Sequence, residues 1–336
     1  MTPVPVPVVF DPILKPKPWG GQRLADLFGK VLPEHTPIGE SWELASLPEA
    51  ESRVRGGPLA GRTLAELVEL WGAGLLGDAP APGGRFPVLI KFLDACQNLS
   101  VQVHPRPRTA DPWEPGVKHE AWYVLHAEPG AHVYIGARDG VGVDDFRRAG
   151  DSPAVVDLLR CWDARPGQFF YLPSGTPHAL GAGVVVAEIQ TPSDVTYRLY
   201  DWGRVDLDGR PRALHMAEAL ECLRCDTPVD VLRPPCGVAS GPLSEVLRYP
   251  PCGVFQISRA SYRAGFARRL GARMRVLIVL TGRGHCVRSG VRECDCRFAA
   301  GDVLLVPADA TDVRLELHAD TELLEVTVSA GPPGAH

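Results

Sequence analysis

Ser100-Val101-Gln102-Val103-His104-Pro105 is the stretch on which the fold turns. In an extended strand, successive side chains point to opposite faces. Ser100, Gln102 and His104 therefore share one face, and Val101 and Val103 take the other. A row of Ser, Gln and His is no core face. It predicts a strand whose valines pack and whose polar row lines a metal-holding pocket.

The surroundings read as further strands. Upstream, 86–93 (Phe-Pro-Val-Leu-Ile-Lys-Phe-Leu) is a nearly continuous apolar strand leading into 99–104. Downstream, strands are predicted over 120–125, 131–136, 167–173, 184–190 and 195–199, and a Ser174-Gly175-Thr176-Pro177 turn presents His178. Before the central stretch, 3–11 reads as an edge strand weakened by prolines, Trp19-Gly20-Gly21 as a turn and 39–44 as a strand. Helices are expected over 63–76, 143–160 (with Ser152 as N-cap of its second part) and 213–224. Thr63 and Glu66 form a capping box, and Leu64, Leu67, Val68, Trp71 and Leu75 make one apolar stripe.

The last third reads as all β. Gly301-Asp-Val-Leu-Leu-Val-Pro307 echoes Gly167-Gln-Phe-Phe-Tyr-Leu-Pro173. This internal repeat predicts two related β domains in tandem. His178 follows the first copy by five residues, and Asp312 stands at the equivalent place after the second. The second domain is therefore expected to lack metal ligands. The expected division is 1–226 for the metal-bearing domain, 227–242 for a linker and 243–336 for the second domain.

Composition sets the outer bounds. A chain of 336 residues with 45% hydrophobic residues has ample core-forming material. A net charge of −5 provides no basic footprint for nucleic acid. No apolar run approaches the roughly 18 residues of a membrane span, and the first residues lack the features of a secretory signal, so a cytoplasmic protein is expected. The nine cysteines form no disulfide or zinc-ribbon framework and are expected to be reduced.

Gln102, His104, Glu120 and His178 are the candidate metal ligands. Two imidazoles, a carboxylate and an amide carbonyl make an N/O donor set that suits zinc, with iron and manganese as competitors. Taken alone, the same His/His/Glu set also describes iron-dependent oxygenases, and a non-catalytic sugar sensor could keep such a pocket.

Five motifs, in order, resemble type I mannose-6-phosphate isomerases in their short bacterial form. They are Phe86-Pro-Val-Leu-Ile-Lys-Phe-Leu-Asp-Ala, Leu99-Ser-Val-Gln-Val-His-Pro, Lys118-His-Glu-Ala-Trp-Tyr, Gly167 through Leu180, and Ser193-Asp-Val-Thr-Tyr-Arg-Leu-Tyr-Asp-Trp-Gly-Arg. The resemblance implies a mainly β chain of two tandem cupin-like jelly-roll barrels, with a small helical insertion in the N-terminal half. It also implies one zinc per chain on Gln102, His104, Glu120 and His178.

The implied reaction interconverts mannose 6-phosphate and fructose 6-phosphate through a cis-enediol(ate). Arg198 matches the catalytic arginine of the family. Lys118, Glu188 and Asp194 match residues lining its substrate pocket, and any of the three could be the base. A metal beside Lys118 would push its amine pKa down. Ser100 and Arg204 match positions at the phosphate end. The expected partner is a small phosphosugar, and the expected state a monomer or weak homodimer.

Overall fold

The computed structural model describes residues 3–109, 111–227, 236–239, 244–248, 254–290 and 295–328. The chain folds into two compact units. One comprises Leu14–Trp42 and Ile90–Leu232; the other comprises Met1–Ile13, Glu43–Leu89 and Arg233–His336.

The first unit is built on two sheets. A six-stranded sheet runs in the order Phe169–Leu172, Glu120–Ala127, Val184–Gln190, Leu89–Ala95, Ile38–Leu44, Ile13–Gly21. A five-stranded sheet runs Leu159–Asp163, His132–Ala137, His178–Leu180, Val101–Val103, Tyr197–Tyr200. One apolar cluster joins their inner faces: Trp122, Val124, Phe170, Leu93 and Val186 from the first, Val133, Ile135 and Leu180 from the second. Burying each large apolar side chain contributes roughly 1.5–3 kcal/mol. That core holds the ligand-bearing strands rigidly.

The alternation in the central stretch is as predicted. Val101 and Val103 are fully buried on the outer face of the five-stranded sheet. There they pack with Phe146, Val155, Ala219 and Leu223. These come from the helices Val143–Ala149, Ala154–Asp157 and Met216–Cys222 and from the residue after the last. The helices thus cover a sheet face. Gln102, between the valines, faces inward.

The second unit repeats the plan with an eight-stranded and a four-stranded sheet. Its core draws Leu277, Val279, Leu304, Val306 and Leu323 from the larger sheet and Cys286, Phe298, Val313 and Leu315 from the smaller. The mainly β expectation holds. The sheets, however, face each other as open layers and do not close into barrels.

Several expectations change. The 63–76 helix forms as Leu64–Trp71 and Ala73–Leu76, with the capping box in place: Glu66 N donates to Thr63 Oγ1 at 3.1 Å and Thr63 N to Glu66 Oε2 at 2.7 Å. It belongs to the second unit. Ala308 and Asp309 donate backbone hydrogen bonds to Leu75 and Gly74, and Val8–Asp11 pairs with Val303–Val306. The two units therefore interleave along the chain, where the expected boundaries were continuous.

Trp19-Gly20-Gly21 closes the strand Ile13–Gly21 and makes no turn. A Cβ on Gly20 would lie 2.4 Å from Gly39 N, so glycine is required there by close backbone approach. Ser152 donates to Ala149 O at 2.6 Å and caps no helix. Of the 227–242 linker, Cys236–Ala239 forms a strand paired with Ser244–Arg248, and residues 228–235 and 240–242 lie outside the described residues.

Candidate metal centre

Three neighbouring strands of the five-stranded sheet put His178, Gln102 and Arg198 side by side: Gln102 is the register partner of His178 on one side and of Arg198 on the other. Directly opposed residues of neighbouring strands share a face. The row thus passes from an imidazole through an amide to a guanidinium. His104 follows one strand residue on, and Glu120 reaches in from the six-stranded sheet.

His104, Glu120 and His178 converge, each buried, with one donor atom apiece all within 4.8 Å of one another. His104 Nε2 lies 3.4 Å from Glu120 Oε2, and His178 Nε2 lies 3.0 Å from Glu120 Oε1. Two donors each about 2.1 Å from one tetrahedral ion stand about 3.4 Å apart, so the spacing fits.

The tautomers fit as well. His104 Nδ1 is 2.9 Å from Val195 O, and His178 Nδ1 is 2.8 Å from Thr176 O. A carbonyl can only accept, so each Nδ1 carries the hydrogen and each Nε2 keeps a lone pair facing Glu120. His104 Nε2 and Glu120 Oε1 are buried without an aligned hydrogen bond, whereas Glu120 Oε2 has Lys118 Nζ beside it. Such orphaned acceptors call for a cation.

Gln102 stands at the edge of this cluster. Its amide nitrogen is 3.1 Å from His178 Nε2, and its oxygen accepts from Ser100 Oγ at 3.1 Å. Ligation through the oxygen would require the amide turned over.

Comparison with known proteins agrees with this geometry. The sequence profile of the phosphomannose isomerase type I catalytic domain matches residues 9–131. The probable mannose-6-phosphate isomerase GmuF of Bacillus subtilis is 33% identical over 92% of this chain and 96% of its own length. Mannose-6-phosphate isomerase ManA of the same organism is 33% identical over 94% and 97%. The crystal structure of the mannose 6-phosphate isomerase from B. subtilis superposes with a TM-score of 0.83, at 29% identity over 96% of this chain and 99% of that one. The chain belongs to the type I phosphomannose isomerase family.

Around the metal triad of this family member runs a line of alternating charge. Lys118 Nζ is 2.8 Å from Glu120 and 3.7 Å from Glu188. Lys91 Nζ is 3.8 Å from both Glu188 and Glu40, and Glu40 is 3.1 Å from Lys17. Asp194 pairs with Lys91 at 3.1 Å, and Trp122 Nε1 donates to Glu188 at 3.0 Å. Lys118, Glu188, Lys91 and Glu40 are buried, whereas Asp194 is exposed. Lys17, Glu40 and Lys91 escaped the sequence reading. The signal was there in Lys91, a lone cation inside a buried apolar strand.

Electrostatics sort these groups. Burial works to raise Glu120, but Lys118, then His104 and His178, hold it well below the usual carboxylate range. Burial, then Lys118, brings His104 down to about 3, so its imidazole is neutral. Burial raises Glu188 in spite of Lys118. Burial also opposes the Lys118 charge, yet Glu120 and Glu188 prevail and its pKa rises. The lowered amine expected for Lys118 rested on a metal's charge; the protein's own carboxylates act in the opposite direction.

Ser100, Gln102, Lys118, Glu188, Asp194 and Arg198 line one cleft. Lys17, Glu40, Lys91 and Arg212 line it too. Arg204 does not. It lies behind, bonded to Asp201 and to Asn98 O.

Proposed function

We propose that this chain is a zinc-dependent aldose–ketose isomerase that interconverts mannose 6-phosphate and fructose 6-phosphate through a cis-enediol(ate). The observation that carries this reading is the row His178–Gln102–Arg198 facing Glu120, which sets a guanidinium one strand from His104 and two from His178. Family membership supports the same substrate pair, as does the polarity of the cleft, which suits an anionic sugar better than an apolar oxygenase substrate.

His104, Glu120 and His178 would hold the ion, with Gln102 as the fourth ligand once its amide is turned over. The neutral imidazoles and one carboxylate leave net positive charge on a divalent metal. Bound there, the ion supplies Lewis-acid polarisation of a sugar carbonyl. Zinc fits two nitrogens and a carboxylate oxygen at these spacings.

Arg198 remains a cation throughout and faces the oxygens that become negative in the enediolate. Its strand position fixes it, and among the described residues it has no ion-pair partner that would divert it. The proton exchanged between C1 and C2 falls to the Lys118–Glu188 pair, whose charges are coupled at 3.7 Å. Asp194 holds Lys91 at the cleft rim. Cys96, Cys161, Cys222 and Cys225 are thiols, in keeping with a cytoplasmic enzyme.

The test is a coupled assay of fructose 6-phosphate formation from mannose 6-phosphate, before and after chelation. Activity should vanish on chelation and return best with zinc. Undiminished turnover in a metal-free sample would end this reading.

A further inference from the structure

A phosphosugar carries two negative charges at one end, and something in the cleft must meet them. Most of its cations are already matched. Lys17 faces Glu40, Lys91 faces Glu40, Glu188 and Asp194, and Lys118 faces Glu120 and Glu188. Arg198 and Arg212 differ.

Among the described residues, Asp201 is the only carboxylate in direct contact with the arginines at this end, and it is shared. Arg212 grips it side-on, Nε to Oδ2 at 2.7 Å and Nη2 to Oδ1 at 2.5 Å. Arg204 uses Nε and Nη2 on Oδ1 of the same group, at 3.0 and 2.7 Å, and spends Nη1 on Asn98 O. Every nitrogen of Arg204 is therefore engaged, while Nη1 of Arg212 has no partner among the described residues. Arg198 has no ion pair among the described residues, and burial, then the charge of Arg212, lowers its pKa. By direct contact, three guanidinium groups share one carboxylate. Asp194 and Asp206 act on Arg198 only from beyond ion-pair distance, so this end keeps an excess of positive charge at contact range, which suits a phosphate dianion.

The backbone keeps the two cleft arginines together. His215 N donates to Arg198 O at 2.9 Å, and Arg198 N reaches His215 Nδ1 at 3.3 Å. These bonds tie the segment before Met216–Cys222 to the strand carrying Arg198. Side-chain exposure of Arg212 is only 10% and of Asp201 7%, so the grip is largely shielded from water.

We propose that Arg212 is the phosphate anchor of the cleft, acting beside Arg198, with Asp201 as its positioning residue and Arg204 as the brace behind Asp201. This assignment rests on the isomerase reading for its substrate, although the anion site can be measured without turnover. It moves the phosphate contact from Arg204, where the family resemblance put it, to a residue that faces the cleft.

The experiment titrates inorganic phosphate calorimetrically into wild type, Arg212→Met and Arg204→Met, and measures KM and kcat for mannose 6-phosphate. Arg212→Met should weaken phosphate binding about tenfold or more and raise KM by a similar factor, with kcat within about threefold. Arg204→Met should weaken phosphate by less than about threefold. Asp201→Asn should raise KM while sparing kcat, an asymmetry that general loosening of the fold does not produce.

Should Arg212→Met fail to fold by near-UV circular dichroism, Arg212→Lys is read in its place. It keeps the charge on Asp201 but loses the second arm, and should weaken phosphate about threefold or more. Wild-type phosphate affinity in the Arg212 variants, or its loss only in Arg204→Met, overturns the assignment. A wild-type protein that binds phosphate without isomerising mannose 6-phosphate overturns the isomerase reading and leaves the anion site standing.

Discussion

The two units use the same strand-entering element and bury opposite charges beside it. Gly167 (φ 87°) opens the strand Phe169–Leu172, and Gly301 (φ 85°) opens Val303–Val306. The last residue of each strand faces a charged residue on its neighbour: Leu172 faces Glu120, and Val306 faces Arg275. Glu120 and Arg275 thus hold equivalent places in the two ladders. Arg275 brings its own cation and pairs with Glu325 at 2.8 Å, which Arg268 also contacts at 2.5 Å. Glu120 brings an anion and gathers two lone-pair donors. His178 is buried, while Asp312, at the matching place, is exposed. Both scaffolds thus set an opposite charge of their own against the buried one, Lys118 at 2.8 Å from Glu120 in the first, but only the first also gathers two imidazoles around it.

The most forceful way to break this contrast is to remove the anion. Glu120→Gln should weaken metal binding by more than about a hundredfold and reduce isomerisation to background, read by metal analysis beside the assay. Next is Arg198→Ala, expected to lower kcat about a hundredfold while metal content stays at one per chain. Wild-type turnover in that variant would remove Arg198 from the chemistry.

In the other unit, Arg275→Met should cost about 3 kcal/mol of stability, because Glu325 loses its buried partner and keeps only the half-buried Arg268. Metal content and kcat should not move. A loss of metal on that substitution would show that the two buried charges are not independent.

The smallest effect is a pH dependence. Burial opposes the charge on Glu40, but Lys91 and then Lys17 bring its pKa down to about 2. A depressed carboxyl stabilises the fold fully above its unfolded pKa, near 4.5, and loses that contribution as pH falls toward 2. Glu40→Gln should therefore be less stable than wild type by roughly 2 kcal/mol at about pH 7. Urea midpoints should converge between about pH 4.5 and 2, and a gap that stays constant would disconnect Glu40 from the charge line.

Local signals explain what could be read from the chain. Alternation in 100–104 placed the polar row, the capping box placed the 63–76 helix, and the Gly-to-Pro repeat announced a second β unit. What escaped depends on distant partners. Pro16 and Pro18 disguised the strand Ile13–Gly21, which is admissible because it lies at a sheet edge. The pairing of Gly74 and Leu75 with Asp309 and Ala308 spans more than two hundred residues, and nothing local to either segment records it. Arg212 carries no local signal, because only the shared grip on Asp201 marks it out. Lys91 and Glu40 acquire meaning only when neighbouring strands bring them to each other.

The Nδ1 hydrogens of His104 and His178, each committed to a main-chain carbonyl, have a consequence for how the ion is acquired. Main-chain carbonyls, not the ion, fix the orientation of both rings, so ordering them should take little of the metal's affinity. Unlike domains that collapse when stripped, this enzyme should lose its ion reversibly and reload at the rate of diffusion and dehydration.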